Sequence, residues 1–94
     1  MTADDLKRRG FAEALVLDER GQLDVEGTIA RLRETARYAE ERADNNRHYA
    51  RQLANISFFE YEDARDDARD WQCKASEAWA TMALLERMRS GLHS

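Results

Sequence analysis

The stretch Leu53-Ala54-Asn55-Ile56-Ser57-Phe58-Phe59-Glu60-Tyr61 decides the fold. Ser57 and Glu60 have the Ser-x-x-Glu spacing of a capping box, in which hydroxyl and carboxylate satisfy N–H groups left free at the start of a helix. Ile56 and Tyr61 hold the two positions of a hydrophobic staple around that start. A helix therefore begins here, and any helix arriving from the N-terminal side ends near Asn55. The competing reading, one unbroken helix of about 65 residues, has to ignore this start signal.

Each side of the break carries a seam. Before it, from a possible N-cap at Asp24, small and apolar residues fall at Ile29, Leu32, Ala36, Ala39, Ala43, Asn46, Ala50 and Leu53, in steps of 3, 4, 3, 4, 3, 4, 3. After it, Tyr61, Ala64, Ala68, Trp71, Ala75, Ala78, Met82 and Leu85 repeat the same steps, and Gly91 is a natural stop. Such 3-4 spacing sustained over three heptads is the mark of helices that pack along a seam. Two seams joined by a short break predict two antiparallel helices folded on each other. Alanine at so many seam positions lets the backbones approach closely. It also limits burial, since an alanine contributes far less than the ~1.5–3 kcal/mol of a leucine. The hairpin therefore needs cover, from the N-terminal segment or from a second copy.

That N-terminal segment, Thr2 to about Leu17, opens on a Thr-x-x-Asp cap (Thr2, Asp5) and ends in Asp18-Glu19-Arg20-Gly21. It reads either as a helix stopped by Gly21 or as a small hairpin pairing Val16-Leu17 with Leu23-Val25. A short helix followed by a tight turn is preferred, because an isolated two-stranded hairpin is marginal. Its Phe11, Leu15 and Leu17 are expected to pack on the far end of the hairpin.

Composition agrees with this reading. Ala, Glu, Lys, Leu and Arg total 49 of 94 residues, Ile and Val only four, and Pro is absent, a composition that argues against a sheet protein. The modest net charge of -4 and eight aromatics argue against disorder. Fifteen basic against 19 acidic residues argue against a chain built to hold nucleic acid; the small patch Arg31, Arg33, Arg37 shares its helix with five acids. No apolar run approaches the ~18 residues of a membrane span, and the acidic opening residues carry no secretory pattern. The lone Cys73 makes no internal disulfide, which fits a reducing, cytoplasmic compartment.

Placed at ~100° per residue, Tyr38, Arg42, Asn45 and Tyr49 form a second stripe roughly opposite the seam. Phe58 and Phe59 sit at the hairpin tip, where Tyr61 already takes the seam. The C-terminal end is apolar almost all round, through Trp79, Met82, Leu84, Leu85, Met88 and Leu92. From Glu60 to Asp70 there are six acids and two arginines, while Arg31 to Arg51 holds six arginines. The ordinary expectation is a solvated face with cross-helix ion pairs, each worth ~0–1 kcal/mol. The alternative is an acidic ridge for a basic partner.

Sites for chemistry are few. Asp44 and His48 share a helix face, His93 lies in the tail, and no Glu-x-x-His pair occurs, so no metal site is assigned. Cys73 falls on the outward face near Asp66 and Asp70, negative neighbours that do not activate a nucleophile. The four glycines are isolated, so no phosphate loop exists. Glu40-Glu41-x-x-Asp44 with Glu60-x-x-Asp63 resembles the paired acidic motif of the all-alpha nucleoside triphosphate pyrophosphatases. That resemblance covers about 24 residues and implies carboxylates on two helices holding Mg2+ against a triphosphate. It departs from the family in having Asp rather than Glu as the last acid of the first motif. The outward placement of Glu41 and Asp63 also gives no shared inner site.

The expected fold is all-α: a long antiparallel helical hairpin, coiled-coil-like with an Ala-rich seam, and a short N-terminal helical segment packed across it. Residues 1–94 form one domain, with 1–23 as N-terminal segment and turn, 24–55 as the first long helix and 57–90 as the second. The expected function is a non-catalytic protein–protein interaction module, a self-associating adaptor, inhibitor or regulator without cofactor, of a kind phages and mobile elements often encode. Tyr38, Arg42, Tyr49, Phe58 and Phe59 are the expected partner contacts. Trp79, Leu84 and Met88 are expected to drive self-association, with a dimer favoured. The alternative is a Mg-dependent pyrophosphatase-like enzyme.

Overall fold

The computed structural model describes residues 1–91; Leu92 and His93, which figured in the sequence reading, lie outside them. Among the described residues there are three α-helices: α1 (Ala3–Arg8), α2 (Val25–Leu53) and α3 (Phe58–Gly91). A single 3-10 turn, Ala12–Ala14, follows α1. Helices α2 and α3 pack antiparallel along nearly their whole length, giving a body of 56 × 23 × 16 Å. None of the described helices is long and apolar enough to cross a membrane.

Both seams are buried as their spacing predicts. On α2, Ile29, Leu32, Ala36, Ala39, Ala43, Ala50 and Leu53 are buried and Asn46 is half-buried. On α3, Ala64, Ala68, Ala75, Ala78, Met82 and Leu85 are buried, with Tyr61 and Trp71 at the seam's edge. Side-chain size divides the seam into zones. At the base, Ile29, Leu32, Met82 and Leu85 meet Leu6, Phe11 and Ala14 of the N-terminal segment in the main core. Toward the tip, Ala50, Leu53 and Ala64 form a smaller cluster closed by Tyr61. Between them only alanines meet, and little area is buried there.

The cap at Asp24 holds: its Oδ1 accepts from the Gly27 N–H at 3.2 Å. At the break, Ser57 Oγ accepts from the Glu60 N–H at 3.4 Å. The other half of the predicted box does not form, because the Ser57 N–H donates to the Leu53 carbonyl at 3.0 Å and so closes α2 instead. The staple fails as well. Tyr61 turns into the seam, while Ile56 stays 79% exposed.

The N-terminal segment combines its two readings rather than choosing one. Its helix is shorter than the expected span to Leu17: α1 stops at Arg8, and Gly10, at φ 85°, turns the chain. The Thr2–Asp5 capping box is complete. Leu17 and Leu23 then pair in one antiparallel bridge around a turn in which Asp18 Oδ1 accepts from the N–H groups of Arg20 and Gln22, with Gly21 at φ 79°. Thr28, fully buried on α2, ties this bridge down by accepting from the Val16 N–H at 3.2 Å. Phe11 is buried in the main core and Leu15 packs at its edge. Leu17, expected to join them, is 50% exposed because its backbone belongs to the bridge.

Candidate functional site

Among the described residues, the hairpin tip gathers three exposed large apolar side chains, Ile56, Phe58 and Phe59. Residues 54–57 link the two helices, and α3 starts at Phe58. Because the helical register gives the inward position to Tyr61, Phe58 and Phe59 must point away from the seam. They are 65% and 80% exposed, beside the exposed Ile56. The two rings meet edge-to-face, with centroids 6.2 Å apart. Three large apolar side chains within four residues, none covered, leave a compact patch of the kind that anchors interfaces.

Below the tip the hairpin presents two broad faces of different chemistry. On one, Tyr38 packs edge-on against Trp71 of α3 at 5.6 Å, and the Arg42 guanidinium and Lys74 ammonium each lie 5.8 Å from the Trp71 ring centroid. Nearer the tip on this face, Tyr49 and Asn46 line a groove with Glu60, Asp63 and Asp67. The expected stripe opposite the seam is thus corrected. Tyr38, Arg42 and Tyr49 flank the seam and reach across to α3, which spends part of their surface on holding the two helices together. Each cation over the indole contributes ~0.5–1 kcal/mol at an exposed site.

The other face carries arginines. Arg47 and Arg51 of α2 and Arg65 and Arg69 of α3 line two adjoining grooves whose floor includes Ala50 and Ala68. Arg47 is held by Asp44 at 2.9 Å and donates to Gln72 Oε1 at 2.7 Å. Arg51, Arg65 and Arg69 have no ion-pair partner among the described residues. The expected network of cross-helix ion pairs is therefore corrected: the one found there joins Arg89 to Glu26 at the base, at 3.6 Å. In the tip half Glu60, Asp63 and Asp67 lie across the hairpin from Arg51, Arg65 and Arg69, and Asp44 is the one acid seen paired on the arginine face, with Arg47. Cys73 likewise shares its groove with Arg47, Arg65 and Arg69, rather than facing acids alone.

At the base, Trp79, Leu84 and Met88 do not make one patch. Trp79 Nε1 donates to Glu40 Oε1 at 2.6 Å across the arginine-bearing face. Leu84, five residues on and so about 140° around the helix, lines a shallow groove with Met1, Asp5, Arg8 and Arg9. Met88 packs on the main core, where its sulfur accepts from the N-terminal ammonium at 3.3 Å.

The acids of the pyrophosphatase-like pattern are not brought together. Glu40 is engaged by Trp79 and Asp44 by Arg47, while Glu60 and Asp63 line the opposite face. Among the described residues no three His, Cys, Asp or Glu side chains converge to hold a metal ion. His48 shares a contact of 3.4 Å with Gln52 rather than with Asp44. Sequence reasoning passed over Ile56 as a staple and did not single out the Arg47–Arg51–Arg65–Arg69 cluster. The (i, i+4) spacing within each helix was a signal for the latter, usable only once the helices were paired. Comparison of the chain with protein-family models, with curated proteins and with solved structures finds no match.

Proposed function

We propose that this chain is a small non-catalytic protein-interaction module whose hairpin tip is its partner-binding end. The observation that carries the reading is the uncovered cluster Ile56, Phe58 and Phe59. A folded chain gains nothing from holding three large apolar side chains in water; burying each against a partner is worth ~1.5–3 kcal/mol. The face running down from the tip supplies the polar and aromatic rim, with Tyr49 about one helical turn away and Arg42 and Tyr38 further down. Tyr38 lies 15 residues before Leu53, or about 22 Å along α2. Adaptor, inhibitor and regulator roles all use such a surface, and the lone Cys73 suits a reducing, cytoplasmic setting.

The test compares wild-type protein with the double variant Phe58→Ser/Phe59→Ser, each immobilised and used to capture partners from the native host. Both side chains are exposed, so the variant should keep the circular dichroism of the wild type while losing the specific partner. A variant that retains full helicity and captures the same proteins would overturn the reading. So would Mg2+-dependent release of pyrophosphate from nucleotides that disappears in Glu41→Ala and Asp63→Ala.

A further inference from the structure

The charge segregation between the two faces identifies a second occupant. The arginine groove is built by both helices, two side chains from each, over a floor of alanine that lets a partner come close. Three of its four guanidiniums make no ion pair among the described residues. The opposite face carries Glu60, Asp63 and Asp67 around Tyr49, also without ion-pair partners. Both patches lie at the same height. On α3 the arginines sit at 65 and 69 and the acids at 60, 63 and 67, so Asp63 and Asp67 are each two residues, about 3 Å, from the level of Arg65 and Arg69.

We propose that the Arg47–Arg51–Arg65–Arg69 groove receives the Glu60–Asp63–Asp67 face of a second copy of this chain. The copies pack face to face and point the same way. A twofold pair through either face would set arginine against arginine or carboxylate against carboxylate, and like charges across an interface cost stability and specificity. The contact is therefore head-to-tail, and it propagates into a ring or a short stack rather than closing as a twofold dimer. The exposed area leaves room for such association. The chain exposes 6807 Å2, whereas a compact monomer of 10.9 kDa should expose about 5,600 Å2. The excess, about 1,200 Å2, lies between the ~800 Å2 that a copy buries through one standard face and the ~1,600 Å2 that it buries through two. Copies that point the same way present their Ile56, Phe58 and Phe59 tips side by side. In the assembly Tyr49 faces the neighbouring copy, so an outside partner is held there by the clustered tips; that last consequence rests on the tip reading above, and the pairing of faces does not.

Sedimentation velocity of the full chain in about 20 mM and about 500 mM NaCl tests the pairing, since the screening length falls from roughly 20 Å to roughly 4 Å between them. A mass that is a multiple of 10.9 kDa at low salt and 10.9 kDa at high salt is expected. Arg65→Glu/Arg69→Glu and Asp63→Arg/Asp67→Arg should each be monomeric at low salt. Mixed one to one, they should associate again, because each then meets a face of opposite charge. Phe58→Ser/Phe59→Ser should associate like the wild type, which separates this proposal from the tip reading. A wild type that stays at 10.9 kDa at low salt, or an assembly indifferent to the charge reversals, overturns it. So does an assembly abolished by the tip variant. Salt-dependent binding of a labelled single-stranded DNA of about 20 nucleotides, lost in Arg65→Glu/Arg69→Glu, would assign the groove to nucleic acid instead.

Discussion

The same substitution, Phe to Ala, should have opposite consequences at Phe11 and at Phe59. Phe11 is 3% exposed and lies in the main core with Leu6, Ile29, Leu32, Met82 and Leu85. It joins the N-terminal segment to the hairpin. Truncating a buried Phe costs ~3–5 kcal/mol, part from lost transfer energy and part from the cavity left behind. A domain of this length has a total stability of about 5–14 kcal/mol. Phe11→Ala thus removes between about a fifth and all of it, and lowers the thermal midpoint by about 15–30 °C. Phe59 is 80% exposed, and Phe59→Ala should stay within ~0.5 kcal/mol of wild type. Urea unfolding followed by circular dichroism at 222 nm, at low protein concentration and high salt, measures both. A cost below ~1 kcal/mol for Phe11→Ala would mean that the hairpin stands without its N-terminal cover. Equal costs at the two sites would mean that the tip is not free.

Other outcomes follow from single contacts. Ala39 is fully buried where the two helices meet through alanine alone, so Ala39→Leu should cost ~1–3 kcal/mol by overpacking; an unchanged urea midpoint would show that the helices can part there. Gly27→Ala should bring no thermal gain, because a Cβ at that position would sit 2.8 Å from Asp24 Oδ2 and 3.1 Å from Val16 Cγ1. Disturbing the Asp24 cap costs ~1 kcal/mol, about what the better helix former returns. A midpoint raised by about 4 °C or more would contradict this balance. The Asp5 carboxylate is held below its ordinary value of 3.8, first by the Thr2 backbone N–H and then by the Thr2 hydroxyl. A carboxyl depressed in the folded state adds its stabilisation in full above the unfolded value and loses it as pH falls through the folded one. The α1 cap should therefore persist down to 3.8 and weaken only below it. Thr2→Ala should move the Asp5 midpoint, followed by NMR, back up toward 3.8.

Legibility in the sequence tracked how local each signal is. The two seams could be read because a 3-4 spacing of Ala and Leu needs only one helix at a time, and every predicted seam position is buried or at the seam edge. The break could be read from Ser57, although its N–H serves α2 instead of Glu60. The end of α1 was missed although its signals are local too: Lys7 and Arg8 fill the last turn and Gly10 follows, the usual basic-then-glycine stop. The stripe of Tyr38, Arg42 and Tyr49 was misplaced for a geometric reason. A seam of period 3.5 drifts by about 20° per heptad on a helix of period 3.6, so over three heptads a stripe judged against the average seam is wrong by tens of degrees.

The segregation of charge is a property of the pair and of neither helix alone. On α2, arginines at 42, 47 and 51 look scattered; on α3, Arg65 and Arg69 look like interruptions of an acidic run. Antiparallel pairing sorts them, because a given side of one helix adjoins the side of the same rotational sense on its partner. Arg47 and Arg51 then fall beside Arg65, while Tyr49 falls beside Glu60, Asp63 and Asp67. Had the tip-half acids of α3 been placed opposite Arg47 and Arg51, the pairs would have neutralised within the chain and fixed the hairpin. Instead, one cross-helix ion pair, Arg89 with Glu26, is found at the base among the described residues. The hairpin is held by its alanine seam, its N-terminal cover and the indole of Trp71, while the charges of its tip half remain directed outward.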